Sequence, residues 1–154
     1  MERFDFIEMK FPAKADYVGV VRLTLSGVAN RMGFSYEDIE DMKISISEAI
    51  TNAVSHAYDD EGEVTICFGV YEDRLEMMVA DHGGSFNLNE IKGRIGPYEA
   101  NEPVTKLREG GFGLFLIQTL MDKVEINNDY GVIVLMTKYL IETGVGLDGQ
   151  VSST

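Results

Sequence analysis

The sequence is poor in cysteine, in histidine and in positive charge, and each shortage closes off a class of function. A single cysteine, Cys67, among 154 residues excludes an internal disulfide framework and fits a reducing compartment. Two histidines and that one thiol are too few for an ordinary structural zinc site. Thirteen Lys and Arg stand against 26 Asp and Glu, a formal charge of −13. Direct binding to nucleic acid, which depends on clustered cations, is therefore not expected. Acidity by itself also serves solubility and names no function. No apolar run approaches the ~20 residues of a membrane span, and the opening Met1-Glu-Arg-Phe-Asp-Phe-Ile-Glu8 shows no basic leader ahead of an apolar stretch. The expectation is a soluble cytoplasmic protein without membrane contact. What is present is ordinary globular composition, 45% apolar and 25% charged, in a length that suits one domain able to bury about two-thirds of its unfolded surface.

Apolar and polar residues alternate from Phe4 to Phe11 and stop at Pro12, which predicts a strand at a sheet edge. From Asp16 the spacing of Val18, Val21, Leu25, Val28 and Met32 predicts a helix ended by Gly33. Ser35 is placed to cap a second helix, with Asp38 three positions on. Its apolar stripe is Ile39, Met42, Ile46, Ala49, Ala53 and Ala57. Val64, Ile66, Phe68 and Val70 alternate with polar or small residues, and after Glu72-Asp73 the pattern resumes at Leu75, Met77 and Val79, predicting a hairpin. Between Gly83 and Gly111 the periodicity fails, with two prolines and four glycines ahead of Gly110-Gly111. So long a loop inside a compact domain is usually functional, and residues 84–109 are read as a flexible lid. A short helix through Leu114, Ile117 and Met121 follows, then strands around Val124–Asn127 and Val132–Leu140. The expected domain is 1–141, and 142–154 has little to bury and reads as a disordered tail. The methionines are read as core filler. Helices segregated between antiparallel strands predict an α+β two-layer sandwich, with a mixed, mostly antiparallel sheet covered by helices. No internal repeat or low-complexity segment is present.

Three places could carry chemistry. Glu48, Asn52 and His56 fall at successive intervals of four on the second helix and make one polar stripe. A solvated face looks the same, although Asn competes with the helix backbone and suits a bland face poorly. An acid followed one turn later by an amide could also hold a hydrated cation and keep a proton acceptor nearby. Asp81-His82-Gly83-Gly84 follows a predicted strand directly. It is ordinary turn chemistry, or a carboxylate placed to accept from an exocyclic amine. Gly110-Gly111-Phe112-Gly113-Leu114 opens the third helix, where close-approaching backbone and unpaired N–H groups make a phosphate cradle, or else a hinge. No Lys-Ser or Lys-Thr follows, which excludes a Walker-type loop. Gly144-Val-Gly146-Leu-Asp-Gly149 matches the dinucleotide fingerprint by chance, because no helix, second strand or acid follows it.

In combination these segments resemble the GHKL ATP-binding family, which includes gyrase, MutL, histidine kinases and a group of bacterial anti-sigma factors. The interval is 29 residues both from Asn52 to Asp81 and from Asp81 to Gly110. Glu48-x-x-x-Asn52 corresponds to the family's helix motif, Asp81-x-Gly83 to its adenine motif and Gly111-x-Gly113 to its glycine motif. Ser85 stands where the wider family often has a second glycine. The run from Ser47 to Tyr58, Glu109–Leu114, the closing Met136-Thr-Lys-Tyr-Leu140 and the first helix around Arg22 are similar to the anti-sigma serine kinases. The similarity covers roughly residues 5 to 140.

The resemblance implies the GHKL (Bergerat) fold and the cofactors ATP and Mg²⁺. Asp81 would bond the adenine amine with Thr137 in support, Asn52 would hold Mg²⁺, and Gly83, Gly111 and Gly113 would line the nucleotide. Glu48 would be the general base toward a serine hydroxyl. Lys106 and Arg108, just before the glycine motif, would reach the γ-phosphate if the lid closes, or are simply lid charges. The chain has no room for the separate dimerisation domain that carries the phosphorylated histidine of a histidine kinase, so His56 is read as a helix-surface or lid-contact residue. The implied partners are sigma-B, a small anti-anti-sigma protein of STAS fold, and a second copy in a homodimer, with Arg22 on the docking face. Two other readings are a non-catalytic ATP-gated sigma-factor-binding module, against which Glu48 weighs, and a hydrolase, which would need further domains for coupling.

Overall fold

The computed structural model describes residues 3–56, 62–81, 96–97, 111–127 and 133–141. Six strands form one sheet in the order β1-β2-β3-β6-β5-β4. These are β1 (Asp5–Pro12), β2 (Glu63–Val70), β3 (Arg74–Ala80), β4 (Gly96–Pro97), β5 (Lys123–Asn127) and β6 (Ile133–Tyr139). Every pairing among these described strands is antiparallel, where the sequence reading gives a mixed, mostly antiparallel sheet. The β2–β3 hairpin and the edge position of β1 are as the alternation predicted, and Pro12 ends an edge strand, where its missing N–H costs no ladder bond. β4 was not anticipated. It is two residues inside the stretch read as a lid, paired with β5 through Gly96↔Ile126 and Pro97↔Glu125, too short for any periodicity to announce.

Among the described residues three helices pack on one face of the sheet: α1 (Val18–Met32), α2 (Tyr36–His56) and α3 (Gly111–Leu120). A 3-10 turn at Ala15–Tyr17 precedes α1, which therefore starts two residues later than Asp16. Gly33 closes α1 in the left-handed region, φ 98°, where a side chain would be strained. Its N–H donates to Ala29 and Asn30 oxygens, and the next N–H, of Phe34, returns to Ala29. The Ser35 hydroxyl accepts the Asp38 N–H at 3.1 Å, the cap that the sequence indicated.

The predicted stripes face inward. Val21 and Leu25 of α1, with Met42, Ile46 and Ala49 of α2, are buried with Ile66, Phe68, Leu75, Met77, Val134 and Met136 of the sheet. At such sites Leu→Ala or Ile→Ala costs about 2–5 kcal/mol. Alternating strands normally leave one face to water, yet the central strands β2, β3 and β6 are buried on both faces, while the edge strand β1 is largely exposed. Cys67, Met78, Ala80, Ile133 and Leu135 form a second, smaller cluster on the side away from the helices, with Phe4 against it. Burial pushes the Cys67 thiol up to about 12, with the Glu8 carboxylate adding to the effect, so it is not a thiolate at neutral pH. Near that cluster Arg74 sits 3.8 Å above the Tyr71 ring and binds Asp73 and Glu76.

Candidate functional site

α2 and α3 pack side by side, and the residues singled out on each meet at the start of α3. A Cβ added to Gly113 would stand 2.7 Å from Glu48 Oε1 and 3.6 Å from Asn52 Nδ2. The first distance is shorter than a real carbon tolerates, so a side chain there would require the Glu48 carboxylate to move aside. Glycine lets the first turn of α3 lie directly on the carboxylate and the amide. This settles the ambiguity of the polar stripe: Glu48 and Asn52 are both half-buried and turned toward α3, not a solvated face. His56 is the last residue of α2, and its side chain falls outside the described residues.

The first turn of a helix presents N–H groups without intrahelical partners at the positive end of the dipole. Those N–H groups lie next to Glu48 and Asn52, an arrangement that fits the phosphates of a nucleotide. Among the described residues no three His, Cys, Asp or Glu side chains gather as a metal site. The donors at hand for a cation are the Asn52 amide oxygen and the Glu48 carboxylate. That set suits Mg²⁺, which is bound through few protein groups plus substrate phosphates and water.

Asp81 follows β3 directly and is half-buried. Leu75, Met77 and Val79 of β3 point to the helix layer, and continuing the alternation places Asp81 on that same side. Thr137 does not join it. In the β3–β6 ladder Thr137 lies opposite Glu76, while Ala80, beside Asp81, lies opposite Ile133. Five residues of strand separate the two, roughly 17 Å, and Thr137 shares the outer face with Met78 and Leu135. The expected support of Asp81 by Thr137 is therefore corrected: antiparallel register carries the C-terminal end of β6 away from the C-terminal end of β3. Thr137 instead gives its carbonyl to the Asp122 N–H at 3.0 Å.

Gly111 opens α3, as expected for the glycine motif. Gly83, Lys106, Arg108, the expected lid apart from β4, the 142–154 tail and the fingerprint-like glycines lie outside the described residues. Arg22 is exposed on the outer side of α1 beside Leu23, which is 76% exposed. Two residues were missed. Ser45, on the same face of α2 as Glu48, is fully buried, and its hydroxyl has no hydrogen-bond partner among the described residues. Lys138 is buried on the helix-facing side of β6. The signal for Lys138 was available: period two places it in line with Val134 and Met136, a charged residue at a core position.

The profile of the histidine kinase-like ATPase domain matches residues 11–138, which span the helix stripe, Asp81 and the glycine turn. The chain belongs to that family. Its curated relatives narrow the class. It is 64% identical over 157 residues to the serine-protein kinase RsbW of Oceanobacillus iheyensis, covering 100% of this chain and 99% of that one. It is 62% identical to a Bacillus cereus protein of the same name, covering 100% and 97%. Within the ATPase family the chain thus belongs to the RsbW serine-protein kinases. A crystal structure of the RsbU and RsbW domains of a Mycobacterium tuberculosis protein shares the fold, with a TM-score of 0.64 at 19% identity, over 90% of this chain and 33% of that longer one. No helix among the described residues is long and apolar enough to cross a membrane.

Proposed function

We propose that this serine kinase uses ATP to phosphorylate an anti-anti-sigma partner of STAS fold on serine. In the alternative complex it sequesters sigma-B, working in the cytoplasm as a homodimer. The observation that carries the kinase chemistry is the seat of Gly113 on Glu48 and Asn52, which puts a carboxylate, an amide and open helix N–H groups at one point. Bound Mg²⁺-ATP supplies the phosphoryl group and the positive charge that offsets its transfer. Glu48 accepts the proton of the incoming serine hydroxyl, Asn52 turns its amide oxygen to the cation, and the first turn of α3 holds phosphate oxygens. Asp81 accepts from the adenine amine, and Gly83 and Arg108 complete the nucleotide contacts. Arg22, exposed on α1, meets an acidic surface of the protein partner.

The test is γ-labelled ATP with Mg²⁺ and the STAS partner, beside Glu48→Gln. Label should reach a partner serine with the wild type, and the variant should lose about 10²–10⁴ in rate, the usual contribution of a general base, while still binding ATP. Tight ATP binding with no label transferred would favour an ATP-gated binding module instead. Light scattering at twice the chain mass checks the homodimer, and charge reversal at Arg22 that left both partners bound would exclude it from docking.

A further inference from the structure

α2 and α3 touch at a second point, at the far end from the glycine turn. Lys138 of β6, 9% exposed, passes under both helices. Its Nζ donates to the main-chain oxygen of Leu120 at 2.8 Å and stands 3.9 Å from Asp38 Oδ1 and 4.0 Å from Asp41 Oδ2. Leu120 is the last residue of α3, where carbonyls lack intrahelical partners and the dipole is negative. A buried ammonium is costly unless it is paired and hydrogen-bonded, and this one recovers its hydration from three groups on two helices.

The spacing gives the contact its meaning. Asp41 to Glu48 is seven residues of α2, and Gly113 to Leu120 is seven residues of α3. Each is two turns, about 10.5 Å. The antiparallel pair is therefore joined at two matched points: Gly113 on Glu48 at one end, and Leu120 to Asp41 through Lys138 at the other. The first contact has no side chain from α3 in it, so little there resists a slide of the helix along its axis. The second does resist it, because the ammonium would lose either the carbonyl or the carboxylates.

We infer that Lys138 is a positioning residue that sets the axial register of α3 against α2 and thereby holds the amide groups around Gly113 in place for the nucleotide's phosphates. The inference rests on reading that end of α3 as the phosphate site. It predicts selectivity: displacing α3 weakens contacts to the phosphates and spares those of the adenine end, which belong to β3.

The experiment uses the full chain carrying Lys138→Met or Lys138→Arg. Affinities for Mg²⁺-ATP and for adenosine are measured by competition with a fluorescent nucleotide, and the thermal midpoint is recorded alongside. Lys138→Met should weaken ATP about tenfold, the size of one charge-assisted hydrogen bond, and leave adenosine within about twofold. Lys138→Arg should recover most of the loss. Equal weakening of both ligands, or a lower midpoint with ATP affinity unchanged, would overturn the inference and leave Lys138 a stability residue. If Lys138→Met does not fold, Asp41→Asn, which keeps the bond to Leu120, serves in its place. A twofold to threefold selective loss, about the size of a partly exposed ion pair, supports the inference, and no selective loss overturns it. Wild-type protein that binds adenosine but gains nothing from the phosphates overturns the phosphate-site reading itself, a result distinct from any effect of the variants.

Discussion

The central strands of the sheet are buried on both faces, and the two faces differ in what burial is used for. On the helix face nearly all side chains are apolar, and polar ones sit along the α2–α3 seam, where Glu48 and Asn52 of α2 face α3 and Lys138 of β6 reaches both helices. On the outer face the apolar cluster is small, and Thr65, Glu76, Glu125, Asn127 and Thr137 are buried among the strands around it. Polar groups on one face converge on a point where a ligand can reach them. On the other they are spread along ladders and serve the sheet. A buried polar residue is thus evidence of function only when its neighbours converge with it.

The largest effect that would sharpen this contrast is at Gly113. Gly113→Ala forces the Glu48 carboxylate aside, and overpacking of about 1–3 kcal/mol at the proposed phosphate turn should weaken ATP about tenfold to hundredfold, with the fold unchanged by circular dichroism. Unchanged affinity would mean that α3 yields easily and the seam is not a built site. Next, Asp81→Asn should cost ATP about tenfold, one charge-assisted hydrogen bond, and should cost adenosine the same factor, since the proposed contact is to the base. Thr137→Val, on the outer face, should move ATP affinity less than about threefold, as for a site remote from the ligand. A large loss there would break the distinction between the faces.

The smallest effect concerns Cys67. Its thiol is raised by burial to about 12 from 9.0, so a thiol reagent at pH 8 should label it only on unfolding. The sign of the linkage follows. The neutral thiol is favoured in the folded state, so its stabilising contribution is complete below pH 9 and is lost between pH 9 and about 12, where only the unfolded chain ionises. Denaturation midpoints measured across that range should fall. Rapid labelling of the native protein would show that the outer face opens.

Much of the fold was legible because single residues carried unambiguous physics. Ser35 and Gly33 marked a helix start and stop, and the period-two run from Val64 to Val70 marked a strand. The glycines at a helix start marked the place where α3 meets Glu48 and Asn52. Register was not legible. The resemblance implied Thr137 in support of Asp81, and antiparallel pairing sets the two apart. The core position of Lys138 was readable from period two, but its tie to α3 was not: a partner group that is a main-chain oxygen, on Leu120, leaves no mark in the residue types.

The sequence by itself determined the element order, the apolar stripes, the family and the three motifs, since each depends on spacing within one segment. Only the tertiary structure decided that Glu48 faces α3 and not water, that Thr137 lies on the far face, and that Lys138 ties the two helices together. Those facts depend on how separate segments are brought together, and the contacts that fix such an arrangement are made between residues far apart in the chain.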